Sequence, residues 1–275
     1  MDKLLLIDGH NLLFRMFYGI PANIKNSKGE EIKGLIGFVG SILKLLKKFE
    51  TNRVIVVFDG EKGISLKKRV LNDYKSNRTN FIKSDTDEVN PFYQLPKIKR
   101  ALKFMGIQYI EMIDSEGDDI IATLCKKYKS IDKIIVSMDK DFFQLINQDT
   151  CVFFPRGKLS VLYDEDTFIN RYGIIPKKFI DYKALVGDPS DNLSGIKGIG
   201  TKTAIKILEY NCVEEFIENN KESRIVKLID FEILNKYRAI IKLDGSIEVN
   251  IELNEINFNI VNMRTMDILQ SIGER

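Results

Sequence analysis

Three short apolar runs each end in an aspartate. Asp8 follows LLLI, Asp59 follows VIVVF and Asp139 follows IIVSM, with Asp141 two residues later. The cluster Glu116-Gly117-Asp118-Asp119 opens a helical stretch, and Asp188 and Asp191 lie in VGDPSDNLSG. Each of these nine acids has an ordinary structural use. Aspartate caps helices, acidic residues suit a helix N-terminus, and Asp-Gly is common in turns. Together they imply more. Two like charges at 4 Å repel by roughly 4 kcal/mol at an effective dielectric of about 20. Crowded carboxylates persist more readily where cations neutralise them. The chain has a single histidine, His10, so a histidine-based metal site lacks partners, and a Ser/His/Asp or Cys/His hydrolase would have to use His10 alone. Oxygen ligands favour Mg²⁺ or Mn²⁺. Two such ions about 4 Å apart are suited to phosphodiester hydrolysis.

Positioning these acids requires strands that end together. The segments 3–7, 53–58, 107–112 and 133–137 read as strands, and 53–58 (RVIVVF) is strongly β-branched. Between them, 34–48, 91–105 and 118–128 show helical periodicity. Continuous apolar strands alternating with helices imply a mostly parallel sheet covered on both faces. In such sheets ligands bind beyond the carboxyl ends of the strands, where the aspartates fall. From about residue 166 the signal is mainly helical, broken by a glycine turn at 195–200. This predicts an α/β domain over 1–165 and a helical region over 166–275.

Charge points to a polyanionic partner. The chain carries 42 basic and 39 acidic side chains, net +3. Without the nine candidate ligands, 42 basic groups face 30 acids, which is +12. A basic surface around an acidic pit fits that arithmetic. Residues 62–83 include Lys62, Lys67, Lys68, Arg69, Lys75, Arg78 and Lys83, interleaved with Tyr74 and Phe81. Such a run is often a solvated helix face. Cations for phosphates with rings for bases are also what single-strand binding uses. The turn Gly195-Ile-Lys197-Gly198-Ile-Gly200-Thr-Lys202 fails as a P-loop, because Thr201 separates Gly200 from Lys202 and 176–186 before it reads as a helix. A helix, a glycine hairpin and a second helix instead suit backbone amides presented to a DNA phosphate.

Five segments resemble the bacterial 5′-3′ exonuclease/flap endonuclease family, which includes the N-terminal domain of bacterial DNA polymerase I. They are VVFDG (56–60), DYKSNR (73–78), SEGDDIIA (115–122), SMDKDFFQL (137–145) and VGDPSDNLSGIKGIGTKTA (186–204), after an opening LLLIDGHNLLFRMFYG (4–19). The resemblance implies a PIN-like 5′ nuclease core, a helical arch over about 75–94 and a helix-hairpin-helix-type C-terminal region. It implies two groups of metal ligands: Asp8, Asp59, Glu116, Asp118 and Asp119, then Asp139, Asp141, Asp188 and Asp191. These would hold two Mg²⁺ or Mn²⁺. Lys75 and Arg78 would engage the scissile phosphate, and Tyr74 would stack on a nearby base. Lys83, Gly195, Lys197, Gly198, Gly200 and Lys202 would contact DNA, with K⁺ at the hairpin. The implied activity is hydrolysis at 5′ flaps and 5′ ends of DNA, with a DNA polymerase as an expected partner.

One departure stands out. Gly117 occupies a place where the family usually has alanine, and glycine is expected to loosen that helix start. Competing readings are a non-catalytic DNA-structure-binding protein on the same fold, a phosphoryl-accepting regulator and a PIN-like ribonuclease. The extra acids and the glycine hairpin disfavour the last two. No polymerase segment follows, so a stand-alone nuclease or an isolated domain is expected. Cys125, Cys151 and Cys212 form no CxxC pair, and no apolar run reaches the roughly 18 residues of a membrane span. A cytoplasmic location and no membrane association are expected.

Overall fold

The computed structural model describes residues 3–61, 90–256 and 263–274. Six strands form one sheet: β1 (Lys3–Asp8), β2 (Arg53–Phe58), β3 (Gln108–Glu111), β4 (Asp132–Val136), β5 (Thr150–Phe154) and β6 (Val161–Tyr163), in the order β3-β2-β1-β4-β5-β6. The first five pair in parallel, and β6 is antiparallel to β5.

The inner strands are buried on both faces, which their unbroken apolar sequences require. Leu4, Leu6, Ile55, Val57 and Ile135 point into one core, while Leu5, Ile7, Val54, Val56 and Val136 point into the other. The second core is covered by α1 (Gly9–Gly19), α2 (Lys33–Phe49), α3 (Leu95–Met105) and a helix near the end of the chain, α10 (Thr265–Ser271). The first is covered by α4 (Gly117–Lys127) and by a run of helices: α5 (Glu165–Tyr172), α6 (Phe179–Val186), α7 (Thr201–Ile207), α8 (Val213–Asn219) and α9 (Phe231–Ile241). The C-terminal helices therefore share an apolar core with one face of the sheet.

The expected strands at 3–7, 53–58, 107–112 and 133–137 are present within a residue or two. Residues 91–105 divide into a 3₁₀ turn, Pro91–Gln94, and α3. Three elements were not foreseen in the sequence: α1, β5 and β6. Among the described residues, no helix is long and apolar enough to cross a membrane.

Candidate metal centre at the sheet edge

Strand register brings the acids together. Leu6 pairs with Ile55 on one side and Ile135 on the other, so β1, β2 and β4 end nearly flush. Asp8 closes the central strand, and Asp59 and Asp139 leave its two neighbours just beyond their last residues. Asp8 caps α1 by accepting from the Asn11 amide at 3.0 Å, and accepts from Ser137 Oγ at 2.8 Å. Ser137 Oγ in turn accepts from the Asp139 amide at 3.0 Å. Asn11 Oδ1 accepts from the Met138 amide at 3.1 Å. The first turn of α1 and the β4 exit loop are thus bolted around Asp8.

Asp59 is held from two other elements. Its Oδ1 accepts from the Gly117 amide at 2.7 Å, and its Oδ2 lies 2.9 Å from His10 Nδ1. The Gly117 contact fixes the start of α4 on β2, so the helix begins at Gly117 itself. Gly60 makes this approach feasible: a Cβ there would lie 1.8 Å from the Met112 carbonyl oxygen. Glu116 and Asp119 are buried at this junction. Asp119 Oδ1 accepts from the Asp244 amide at 2.8 Å, which ties it to the turn after α9.

Three of the remaining acids gather around a lysine. Asp139 caps a 3₁₀ turn and accepts from the Asp141 amide at 2.9 Å. Oxygens of Asp141, Asp188 and Asp191 lie within 4.8 Å of one another. Lys183, buried on α6, donates to Asp141, lies 2.7 Å from Asp188 Oδ2 and 3.5 Å from Asp191 Oδ2. Asp188 and Asp191 are delivered by a tight loop in which the Asp188 amide donates to the Leu193 carbonyl at 2.8 Å, and Leu193 returns the bond at 2.9 Å. Gly187 and Gly195 close that loop backbone to backbone at φ of +89° and +69°. A Cβ on Gly195 would lie 2.4 Å from the Val186 carbonyl carbon.

Electrostatics follow this crowding. Burial, then the charge of Asp59, pushes the Asp8 carboxyl up to about 7, against its hydrogen bonds from Asn11 and Ser137. Burial also lifts Asp141 to about 7, against Lys183 and with help from Asp139 and Asp191. At partly buried Asp188 burial is outweighed by Lys183 and the Ser190 hydrogen bonds, so its carboxyl is held below its ordinary value. Burial would discharge Lys183, but Asp141, Asp188 and Asp191 hold its ammonium charged. The donor set is oxygen only and strongly negative, and it already surrounds one cationic group. These residues fit divalent cations.

The glycine hairpin turns its apolar residues inward. Ile196 and Ile199 are buried, whereas Lys197, Gly198, Gly200 and Lys202 face solvent. Gly195 is buried in the loop closure. Tyr74, Lys75, Arg78 and Lys83, and most of the expected arch, lie outside the described residues. Sequence reasoning missed Lys183 as the centre of the second group and His10 as a partner of Asp59. It set His10 aside with the histidine-dependent chemistries, and Lys183 had no mark separating it from a solvated helix lysine.

An α/β sheet with carboxylates along one edge and a helical C-terminal region defines the 5′ nuclease class of fold, and the comparisons agree. The family model described as "5′-3′ exonuclease, N-terminal resolvase-like domain" matches residues 3–173, and "5′-3′ exonuclease, C-terminal SAM fold" matches 174–264. The chain belongs to the 5′-3′ exonuclease family. It is 34% identical over 267 residues to a 5′-3′ exonuclease of Aquifex aeolicus, covering 94% of this chain and 87% of that protein. It is 37% identical over 220 residues to a thermostable DNA polymerase I of Thermus thermophilus, covering 79% of this chain and 25% of that one. The chain thus spans about a quarter of the length of the polymerase relatives. Among solved structures, a bacteriophage T5 flap endonuclease in a pseudo-enzyme-product complex with DNA and metal ions shares the fold. Its TM-score is 0.70 at 22% identity, over 100% of both chains. Flap endonuclease-1 from Methanococcus jannaschii matches with a TM-score of 0.54 at 20% identity, over 88% of this chain and 78% of that one.

Proposed function

We propose that this chain is a structure-specific 5′ nuclease that hydrolyses phosphodiester bonds at 5′ flaps and 5′ ends of DNA, in primer or flap removal and repair. The observation that carries this reading is the continuous edge of acids running from Asp59 through Asp8 and Asp139 to Asp141, Asp188 and Asp191. Asp8 and Asp59, with Glu116, Asp118 and Asp119, would hold one Mg²⁺ or Mn²⁺. Asp139, Asp141, Asp188 and Asp191 would hold the second. Two such ions, when bound, supply an activated water and neutralise charge developing on the phosphate and the leaving oxygen.

The chain's own groups do the positioning. Ser137 and Asn11 fix the direction of Asp8, and the Gly117 amide fixes Asp59. Lys183 draws Asp141 and Asp188 together from separate elements. Lys75 and Arg78 would grip the scissile phosphate, and Tyr74 would stack on a neighbouring base. Lys83, Lys197 and Lys202 would follow the backbone electrostatically. The exposed backbone at Gly198 and Gly200 would suit a duplex phosphate, with K⁺ at the hairpin. A DNA polymerase as partner and the cytoplasm as compartment complete the reading. The polymerase relatives support the first, and the three free cysteines support the second.

A 5′-labelled flap duplex tests the reading. Release of the flap near the junction in Mg²⁺, abolished by EDTA, is the expected result. Tight flap binding in Ca²⁺ with no cleavage in Mg²⁺ or Mn²⁺ would instead favour a non-catalytic branched-DNA-binding protein.

A further inference from the structure

His10 stands where the metal centre meets the residues that follow the basic segment. Its ring packs edge-on against Phe58, with centroids 5.4 Å apart, and against Phe92, 5.3 Å apart. Phe58 precedes Asp59 on β2. Phe92 lies in the 3₁₀ turn that follows the basic run 62–83 in the chain. His10 Nδ1 lies 2.9 Å from Asp59 Oδ2, and the Asp59 amide points at it from 3.1 Å. Its Nε2 is buried and has no hydrogen-bond partner among the described residues.

One nitrogen cannot both donate to the carboxylate and accept from the amide. A proton on Nε2 would be a buried donor with no acceptor, and would leave Nδ1 facing Oδ2 lone pair to lone pair. A proton on Nδ1 makes a charge-assisted bond to the carboxylate; it leaves a bare acceptor at Nε2 and sets the Asp59 amide against a second donor, the smaller loss because the bond to a charged oxygen is the strongest of these contacts. The ring therefore carries a proton on Nδ1. Asp59 is then gripped at both oxygens, by Gly117 from α4 and by His10 from α1.

We propose that His10 is a positioning residue for the metal centre: Nδ1–H orients the Asp59 carboxylate, and the ring ties that orientation to Phe92. The proposal rests on the reading of Asp59 as a cation ligand. Groups that hold a ligand in this way typically govern metal affinity by 10- to 100-fold when removed.

The test uses the fact that the chain contains one histidine. In ¹⁵N-histidine-labelled full-length protein, one imidazole pair is observed. The expected spectrum is that of an Nδ1–H ring, whose Nδ1 signal moves on titration with Mg²⁺ alone. Calorimetry with Mg²⁺ and Mn²⁺ then compares two variants. His10→Phe keeps the ring packing and loses the donor. His10→Asn loses the ring and keeps a donor near the Nδ1 position. The expected order of affinity is wild type, then His10→Asn, then His10→Phe, with His10→Phe about 10-fold weaker than wild type, while urea midpoints rank His10→Phe above His10→Asn. Wild-type affinity in His10→Phe, or an Nε2–H spectrum untouched by Mg²⁺ in a protein that binds it, overturns the proposal. Absence of any divalent binding by the wild type overturns the underlying reading of Asp59. If His10→Phe fails to fold, the wild-type spectrum and His10→Asn still decide.

Discussion

The Lys183 ammonium lies 2.7 Å from Asp188 Oδ2, in the middle of the second group of acids. An internal cation thus offsets three carboxylates that two separate loops deliver. Removing one partner of a buried ion pair costs about 3 to 5 kcal/mol, because the other charges stay uncompensated. Lys183→Met is expected to lose about 3 kcal/mol in urea unfolding at pH 8 with EDTA. Added Mg²⁺ is expected to recover more stability in this variant than in wild type. A loss below about 0.5 kcal/mol would show that the acids do not depend on the ammonium.

The raised carboxyls of Asp8 and Asp141 set a pH dependence. Their folded values are about 7, against 3.8 for the ordinary group. Between those values the folded state holds protons that the unfolded chain has lost. Metal-free stability therefore falls as pH rises from about 4 to 7, by on the order of 1 kcal/mol per unit and group. Mg²⁺ competes with these protons, so its stabilising effect is expected to grow over the same interval. Thermal unfolding at pH 6 and pH 8, with EDTA and with Mg²⁺, measures both. A metal-free protein more stable at pH 8 than at pH 6 would contradict the assignment.

The glycines of the hairpin separate into two kinds. Gly195 has φ +69° and no room for a Cβ beside the Val186 backbone. Gly200 has φ −98° and open space where a Cβ would stand. Gly195→Ala is expected to cost more than about 3 kcal/mol or to prevent folding, through strain and overpacking. Gly200→Ala is expected to cost about 1 kcal/mol or less, since glycine is the better N-cap. Urea midpoints give both values. Gly200→Ala can therefore report on duplex binding at the hairpin without disturbing the fold.

The last residues described close the molecule over α2 and α3. Ile268 and Leu269 of α10 are fully buried in the core shared with both helices. Glu274, also buried, accepts from Asn26 Nδ2 at 2.9 Å, lies 2.9 Å from Lys97 Nζ and pairs with Arg100. This segment lies beyond residue 264, where the family match ends. Glu274→Gln is expected to cost about 2 kcal/mol in urea, less than a fully buried pair because Arg100 is largely exposed. A neutral result would mean that the apolar contacts of α10 alone hold the segment.

Much of the core was legible because parallel strands announce themselves as unbroken apolar runs. Arg53–Phe58 appears with the expected bounds, and its neighbours within two residues. Helix α1 was hidden because it opens with Gly-His-Asn, poor helix formers whose start is fixed by Asp8. Strands β5 and β6 are short, and β6 is an exposed edge with little periodicity to read. The strand-end acids were visible as sequence punctuation. Lys183 and His10 were not, because their roles arise from tertiary proximity across 42 and 49 residues.

Asp139 is the acid on which a two-metal edge depends most. It couples electrostatically to both Asp8 and Asp141, and so joins the two groups of acids. It also caps a 3₁₀ turn, a place where asparagine serves as well as aspartate, so Asp139→Asn should preserve the fold. The measurement is single-turnover cleavage of a 5′-labelled flap in Mg²⁺, beside flap binding in Ca²⁺. Cleavage is expected to fall about 100-fold or more, with binding within a few-fold of wild type. Wild-type cleavage by Asp139→Asn would contradict it.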